Sequence, residues 1–173
     1  MSVGHYENFP VASLLLPRAL REPVSVIYRF ARSADDFADE GDDPPETRLA
    51  HMQGFRLELE GINSGRTPKT PLFADLARVI HAHHLPLQSF HDLLDAFSQD
   101  VVKKRYASFA EVLDYSRRSA NPVGRLLLHL FNKNTPENCK LSDSICSALQ
   151  VINFWQDVGI DYQTKNRVYL PQD

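Results

Sequence analysis

The apolar positions of this chain recur at intervals of three and four over long stretches, and no stretch alternates strictly between apolar and polar. At 3.6 residues per turn that spacing returns side chains to one face, so the pattern predicts amphipathic helices. Breakers divide the helical stretches: Gly41-Asp42-Asp43-Pro44-Pro45, the run 61–71 (GINSGRTPKTP), Pro86, and the run 132–142 (NKNTPENCKLS). Helices are predicted near 20–40, 46–60, 72–84, 87–104, 108–131 and 142–165. Inside the fifth, Asn121-Pro122 removes a backbone donor and should kink or break the helix. The fold class expected is all-α, with no strands. Its length, 173 residues, suits one domain over 1–173.

Composition narrows the function classes. With 43% hydrophobic and 24% charged residues, the chain is neither disordered nor collagen-like. A net charge of −3 offers no basic footprint, so nucleic acid is not expected as a partner. Cys139 and Cys146 suit neither a disulfide framework nor a zinc ligand set, and a reducing compartment is the simpler reading. The first ten residues lack the basic and apolar regions of a signal peptide, and the longest apolar run, 11–17, is far short of the roughly 20 residues that span a bilayer. A cytoplasmic protein is expected, and peripheral contact with the inner membrane stays open.

The candidate chemistry lies in two aspartate pairs. Asp35-Asp36-Phe37-Ala38-Asp39 and Asp157-Val158-Gly159-Ile160-Asp161 each place two carboxylates four residues apart near the end of a helical stretch. Residues four apart stack on one helix face, where like charges repel by about a few tenths of a kcal/mol. Ser25, Tyr28, Arg32, Asp35, Asp36 and Asp39 fall within a sector about 100° wide. Gln150, Asn153, Asp157 and Asp161 fall within about 80°, on a helix otherwise almost wholly apolar. A helix apolar all round should be buried, so its polar stripe is expected to face an internal cavity. Carboxylates on such stripes need positive compensation, and an all-oxygen donor set suits a hard cation such as Mg²⁺. Taken alone, either motif also reads as a solvated acidic turn. The first runs straight into an acidic loop.

Four separated stretches carry a family resemblance: His5-Tyr6-Glu7-Asn8-Phe9-Pro10; Ile27 through Asp36; Asp114-Tyr115 through Arg125 (including Ser119-Ala120-Asn121-Pro122-Val123-Gly124); and Asn153 through Asp161 with Asn166-Arg167-Val168-Tyr169-Leu170-Pro171. In order and approximate spacing they resemble the squalene/phytoene synthase family of head-to-head isoprenoid synthases, most of all its hopanoid-pathway branch. The resemblance implies the isoprenoid synthase helical bundle with a cavity between two aspartate-rich helices. It implies that Asp35, Asp36, Asp39, Asp157 and Asp161 hold Mg²⁺ ions bridging a diphosphate. By the same resemblance Arg32, Gln150, Asn153, His5 and Asn8 help bind that diphosphate, Phe9 and Tyr28 line the chamber, and Tyr115 is catalytic or cation-stabilising. Asn121 counts among the substrate-binding positions; read from the residues, its helix break either widens the chamber, with Gly124 allowing close substrate approach, or is a kink tolerated against a neighbouring helix. The implied substrate is an isoprenoid diphosphate, presqualene or farnesyl diphosphate. The implied reaction converts presqualene diphosphate and water to hydroxysqualene and pyrophosphate, alongside other hopanoid-pathway enzymes.

Two departures qualify the resemblance. Gln156 stands where related synthases often carry Arg, and the family pattern continues past Asp173, so a C-terminal part is expected to be missing and the bundle incomplete. Three other readings stay open: head-to-head condensation of two farnesyl diphosphates, an inactive helical fragment acting as an interaction module, and a metal-dependent phosphohydrolase. His81, His83 and His84 read as an exposed helix end, and Lys103-Lys104-Arg105 as cations at a helix C-terminus. Whether Asp100 faces the cavity is undecided.

Overall fold

A computed structural model describes residues 16–39 and 41–173. Among the described residues, seven helices and two short strands follow in the order α1 (Arg18–Asp39), α2 (Pro45–Asn63), α3 (Pro71–His83), α4 (Leu87–Val102), β1 (Arg105–Tyr106), α5 (Phe109–Ser119), α6 (Asn121–Leu130), α7 (Pro136–Lys165) and β2 (Val168–Pro171). Most helix ends have a local cause. Thr70, Ser108 and Thr135 are N-caps whose hydroxyls accept from the backbone N–H of Phe73, Glu111 and Asn138, satisfying donors that the first turn leaves open. His84 and Asn166 close α3 and α7 in the left-handed conformation, with φ of 51° and 49°. The Thr135 cap with Pro136 at the first helical turn explains why α7 starts six residues before the predicted 142. That cap lies inside a polar run that reads as loop.

The break expected at Asn121-Pro122 is present, since α5 ends at Ser119 and α6 begins at Asn121, hinged on Ala120. The expectation of no strands is corrected. β1 and β2 form a parallel two-stranded ladder with Arg105 opposite Val168, closed by Val168 N–H to Lys104 O (3.0 Å) and Gln172 N–H to Tyr106 O (3.1 Å). Strands of two and four residues are too short to show an alternating pattern.

The main core gathers on α1. Its Val24, Val26, Ile27, Phe30, Ala34 and Ala38 are buried with residues of α2, α3, α4 and α6. Phe30 meets Phe73 and Phe90 edge-on, with ring centroids 6.0 and 5.3 Å apart, the arrangement that aromatic quadrupoles favour. A second, smaller cluster joins Ala96, Tyr106, Val112, Tyr115, Phe154 and Tyr169. Helix α7 departs from expectation. Instead of being buried all round, it buries only Phe154 and leaves Leu141, Ile145, Leu149, Ile152, Trp155 and Ile160 exposed, Trp155 at 61% and Ile160 at 63%. One face packs on α5, α6 and β2, and no described element covers the other.

Candidate active site

The first aspartate motif occupies the last two turns of α1, whose opposite side is locked into the main core. The second lies on the covered side of α7. Together they wall one cavity of about 330 Å³, lined by Arg32, Asp35 and Asp39 from α1 and by Gln150, Asn153, Asp157 and Asp161 from α7. Phe97 and Asp100 of α4, Tyr115 and Ser119 of α5, and Phe154, Lys165 and Tyr169 complete the wall. The polar stripe of α7 therefore faces a cavity, as its spacing predicts.

Other sequence-predicted positions fall elsewhere. Asp36 is outside this wall and pairs with Arg32 Nε at 2.8 Å, while Asp35 lies 3.4 Å from Arg32 Nη1. Tyr28 borders a separate apolar pocket of about 100 Å³ between α1 and α6, with Val24, Ile27, Ala31, Val123 and Leu127. Asn121 is buried against α7, its Oδ1 accepting from Ser147 Oγ at 2.9 Å on a groove outside the aspartate cavity. Gly124 also faces α7. A Cβ there would stand 2.6 Å from Cys146 Sγ and overlap Ser142, so this glycine serves close approach of two helices rather than of substrate. Gln156 and Trp155 are exposed. His5, Asn8 and Phe9 lie outside the described residues.

Electrostatics separates the carboxylates. Burial, then the charge of Asp39, raises the Asp35 carboxyl to about 6. Burial likewise raises Asp161, with Asp157 adding and Lys165 opposing. At Asp39 burial pulls upward too, yet Arg167 and Lys165 together hold the carboxyl below its ordinary value. Arg167 Nη2 donates to Asp39 Oδ1 at 3.0 Å and Lys165 Nζ donates to Oδ2.

The cavity floor is a buried polar network that spacing alone does not disclose. Asp100 accepts from Tyr115 Oη on one oxygen and from Tyr169 Oη on the other, the latter at 2.9 Å. Arg167, only 2% exposed, donates to Tyr169 Oη at 3.0 Å and to the carbonyl of Asp100 at 2.7 Å, linking the tyrosines to Asp39. Burial raises Asp100 to about 6, against the opposing effect of Arg167 and the two tyrosines. Burial and then Asp100 push the Tyr115 hydroxyl well above its ordinary range, so it remains a proton-bearing donor. Its ring packs with Tyr106, Tyr169 and Phe154 at centroid distances of 5.8, 5.3 and 5.9 Å.

The donors suit a hard divalent cation by type and by their excess of negative charge. Among the described residues, however, no three acidic, imidazole or thiol groups converge closely enough to form a ready-made ion cage.

The profile of the squalene/phytoene synthase family matches residues 3–173. The chain belongs to this family. Hydroxysqualene synthase of Zymomonas mobilis subsp. mobilis is 40% identical over 173 residues, which cover 98% of this chain and 57% of that protein. Phytoene synthase of Cereibacter sphaeroides is 32% identical over 176 residues, covering 98% and 49%. The crystal structure of squalene synthase HpnC from Alicyclobacillus acidocaldarius superposes with a TM-score of 0.87 at 39% identity, over 97% of this chain and 62% of that one. The all-α isoprenoid synthase fold expected of a squalene/phytoene synthase is thus the fold observed. The chain spans little more than half the length of the hydroxysqualene synthase that it matches.

Proposed function

We propose that the intact protein is a Mg²⁺-dependent isoprenoid diphosphate synthase that converts presqualene diphosphate and water to hydroxysqualene and pyrophosphate. The carrying observation is that carboxylates of both motifs, from helices distant in sequence, face one cavity whose floor is a buried aromatic cluster. The preference for this product over a condensation product is supported by similarity. Hydroxysqualene synthases from two organisms are 40% identical to the chain, against 32% for presqualene diphosphate synthase of Rhodopseudomonas palustris.

In this reading the chain's residues divide the work. Asp35, Asp39, Asp157 and Asp161 would hold Mg²⁺, with Asp36 steadying Arg32. A metal bound there would supply Lewis-acid neutralisation of the charge on a diphosphate leaving group. Arg32, Gln150 and Asn153 offer hydrogen-bond donors on the same wall for diphosphate oxygens. The C–O bond to diphosphate breaks, a new C–O bond forms to water, and that water releases a proton. Between those events the carbocation needs a dry, electron-rich surround, which the faces of Tyr115 and Phe154 supply. The apolar pocket beside Tyr28 suits an isoprenoid tail. A cytoplasmic location with contact at the membrane surface fits so apolar a product, and no helix among the described residues is long and apolar enough to cross a membrane.

The test is thermal unfolding of this chain with a non-hydrolysable farnesyl or presqualene diphosphate analogue, with and without Mg²⁺. A ligand that binds only the folded form raises the transition temperature. A shift that needs Mg²⁺ and disappears in Asp157→Asn is expected. A shift indifferent to Mg²⁺, or retained in the variant, sinks the proposal, and product analysis of the intact protein separates hydroxysqualene from a condensation product.

A further inference from the structure

Asp39 differs from its neighbours in the two motifs because cations of the protein already take both of its oxygens. Arg167 holds Oδ1 and Lys165 holds Oδ2. Asp35, one turn earlier, stays in the cavity with its proton affinity raised. Both facts bear on the lack of a ready-made ion cage among the described residues, since a first-motif carboxylate is turned onto internal partners.

The two clamps are unlike. Arg167 is buried, and its guanidinium also serves the Asp100 carbonyl and Tyr169 Oη, so several contacts fix it at once. Lys165 is the last residue of α7, with a side chain 35% exposed on a flexible four-carbon stem. It also stands in the wall between two spaces. On one side is the aspartate cavity. On the other is a recess of about 350 Å³ behind Asp39, whose wall includes Asp43, Arg48, Lys104, Thr164 and Arg167. An ammonium leaving Asp39 has room in this recess, where Asp43 stands among the cations Arg48, Lys104 and Arg167, and the 35% exposure of the lysine side chain lets solvent carry the charge.

We infer that Lys165 is a displaceable internal counter-ion: it neutralises Asp39 while the motif is empty and withdraws into the recess when a divalent cation takes the carboxylate. The inference rests on the metal-binding reading given above. A divalent ion on the Asp39 carboxylate would stand within a few ångströms of the ammonium, where partial burial weakens screening, so both cannot stay. Arg167 remains because it is bound through the other oxygen and two further partners. Lys165 is accordingly a positioning residue. It sets how much cation is needed to assemble the site, and it touches no reacting atom.

The test is a Mn²⁺ titration of this chain followed by electron paramagnetic resonance of the free ion, Mn²⁺ serving as a hard-cation probe of the same oxygen-rich site. This readout measures occupancy directly and does not depend on stability. Lys165→Met should bind Mn²⁺ about fivefold more tightly, the factor that corresponds to removing one partly screened competing charge. Lys165→Arg, which keeps a cation in place, should bind like the unaltered chain, and Asp157→Asn should bind more weakly. Unchanged or weaker binding in Lys165→Met, with the unaltered chain binding Mn²⁺ and Asp157→Asn impaired, overturns the Lys165 inference alone. Absence of binding by the unaltered chain, or full binding by Asp157→Asn, overturns the metal reading and this inference with it. If Lys165→Met fails to fold, Lys165→Gln answers the same question, because it keeps a polar stem at this helix end without the charge.

Discussion

Helices α1 and α7 carry the same device, two aspartates one turn apart, yet they are built into the molecule in opposite ways. Behind its aspartates α1 buries Val24, Val26, Ile27, Phe30, Ala34 and Ala38 against four other helices. α7 buries Phe154 alone and turns a row of large apolar side chains outward. One wall of the cavity is therefore backed by a packed core, while the described residues hold the other only from the cavity side. Local sequence sets which face carries the carboxylates, and packing decides how firmly that face is held.

The sharpest way to break the comparison is to empty the backing of α1. Phe30→Ala removes a fully buried ring in contact with Phe73 and Phe90 and should destabilise the fold by about 3–5 kcal/mol, read from denaturant unfolding. A loss below about 1 kcal/mol would mean that α1 is no better anchored than α7.

A second, smaller effect concerns the floor that joins the two helices. Asp100 faces Tyr115 from α5, Tyr169 and Arg167 from the β2 segment, and the more distant charge of Asp39 from α1. Its folded-state value of about 6 exceeds the usual 3.8, so the fold favours the protonated carboxyl. The associated stability is fully present below about 3.8 and is lost as pH rises through about 6. Asp35 changes in the same direction and Asp39 in the opposite one. Asp100→Asn, which stays neutral throughout, should flatten the fall in metal-free stability across that window. An unaltered pH profile would show that Asp100 does not titrate there.

The smallest effect is expected on the outer face of α7. Ile160→Ser, at a position 63% exposed, should change stability by no more than about 0.5 kcal/mol while reducing binding of an apolar dye. A loss comparable to that of Phe30→Ala would show that the face is covered in solution.

Much of this arrangement was legible in the sequence. Helical period and breakers located the helices, Asn121-Pro122 marked the division between α5 and α6, and arithmetic around the helix brought Gln150, Asn153, Asp157 and Asp161 to one stripe. The misses share a physical origin. Burial of α7 depends on what covers it, which its own periodicity does not contain. Asp100 sits on a helix with Asp92 and Asp95, and no spacing rule separates the buried carboxyl from the half-buried ones. Its partners Arg167 and Tyr169 lie 67 and 69 positions away, and the Arg-x-Tyr pattern just beyond α7 was the one available signal. Lys165 gave none, since a lysine in the last turn of a helix is already explained by the dipole.

The parallel ladder of β1 and β2 has a consequence out of proportion to its size. Along 167–169 the chain alternates buried, half-buried, buried, so the ladder turns Arg167 and Tyr169 inward and Val168 aside. Side chains on a strand reverse face with every residue. A slip of one position against Arg105 would present Val168 and Leu170 to Asp39 and Asp100, leaving two acids to face a greasy surface. The charge state of the whole chamber is thus keyed to the alignment of a strand four residues long.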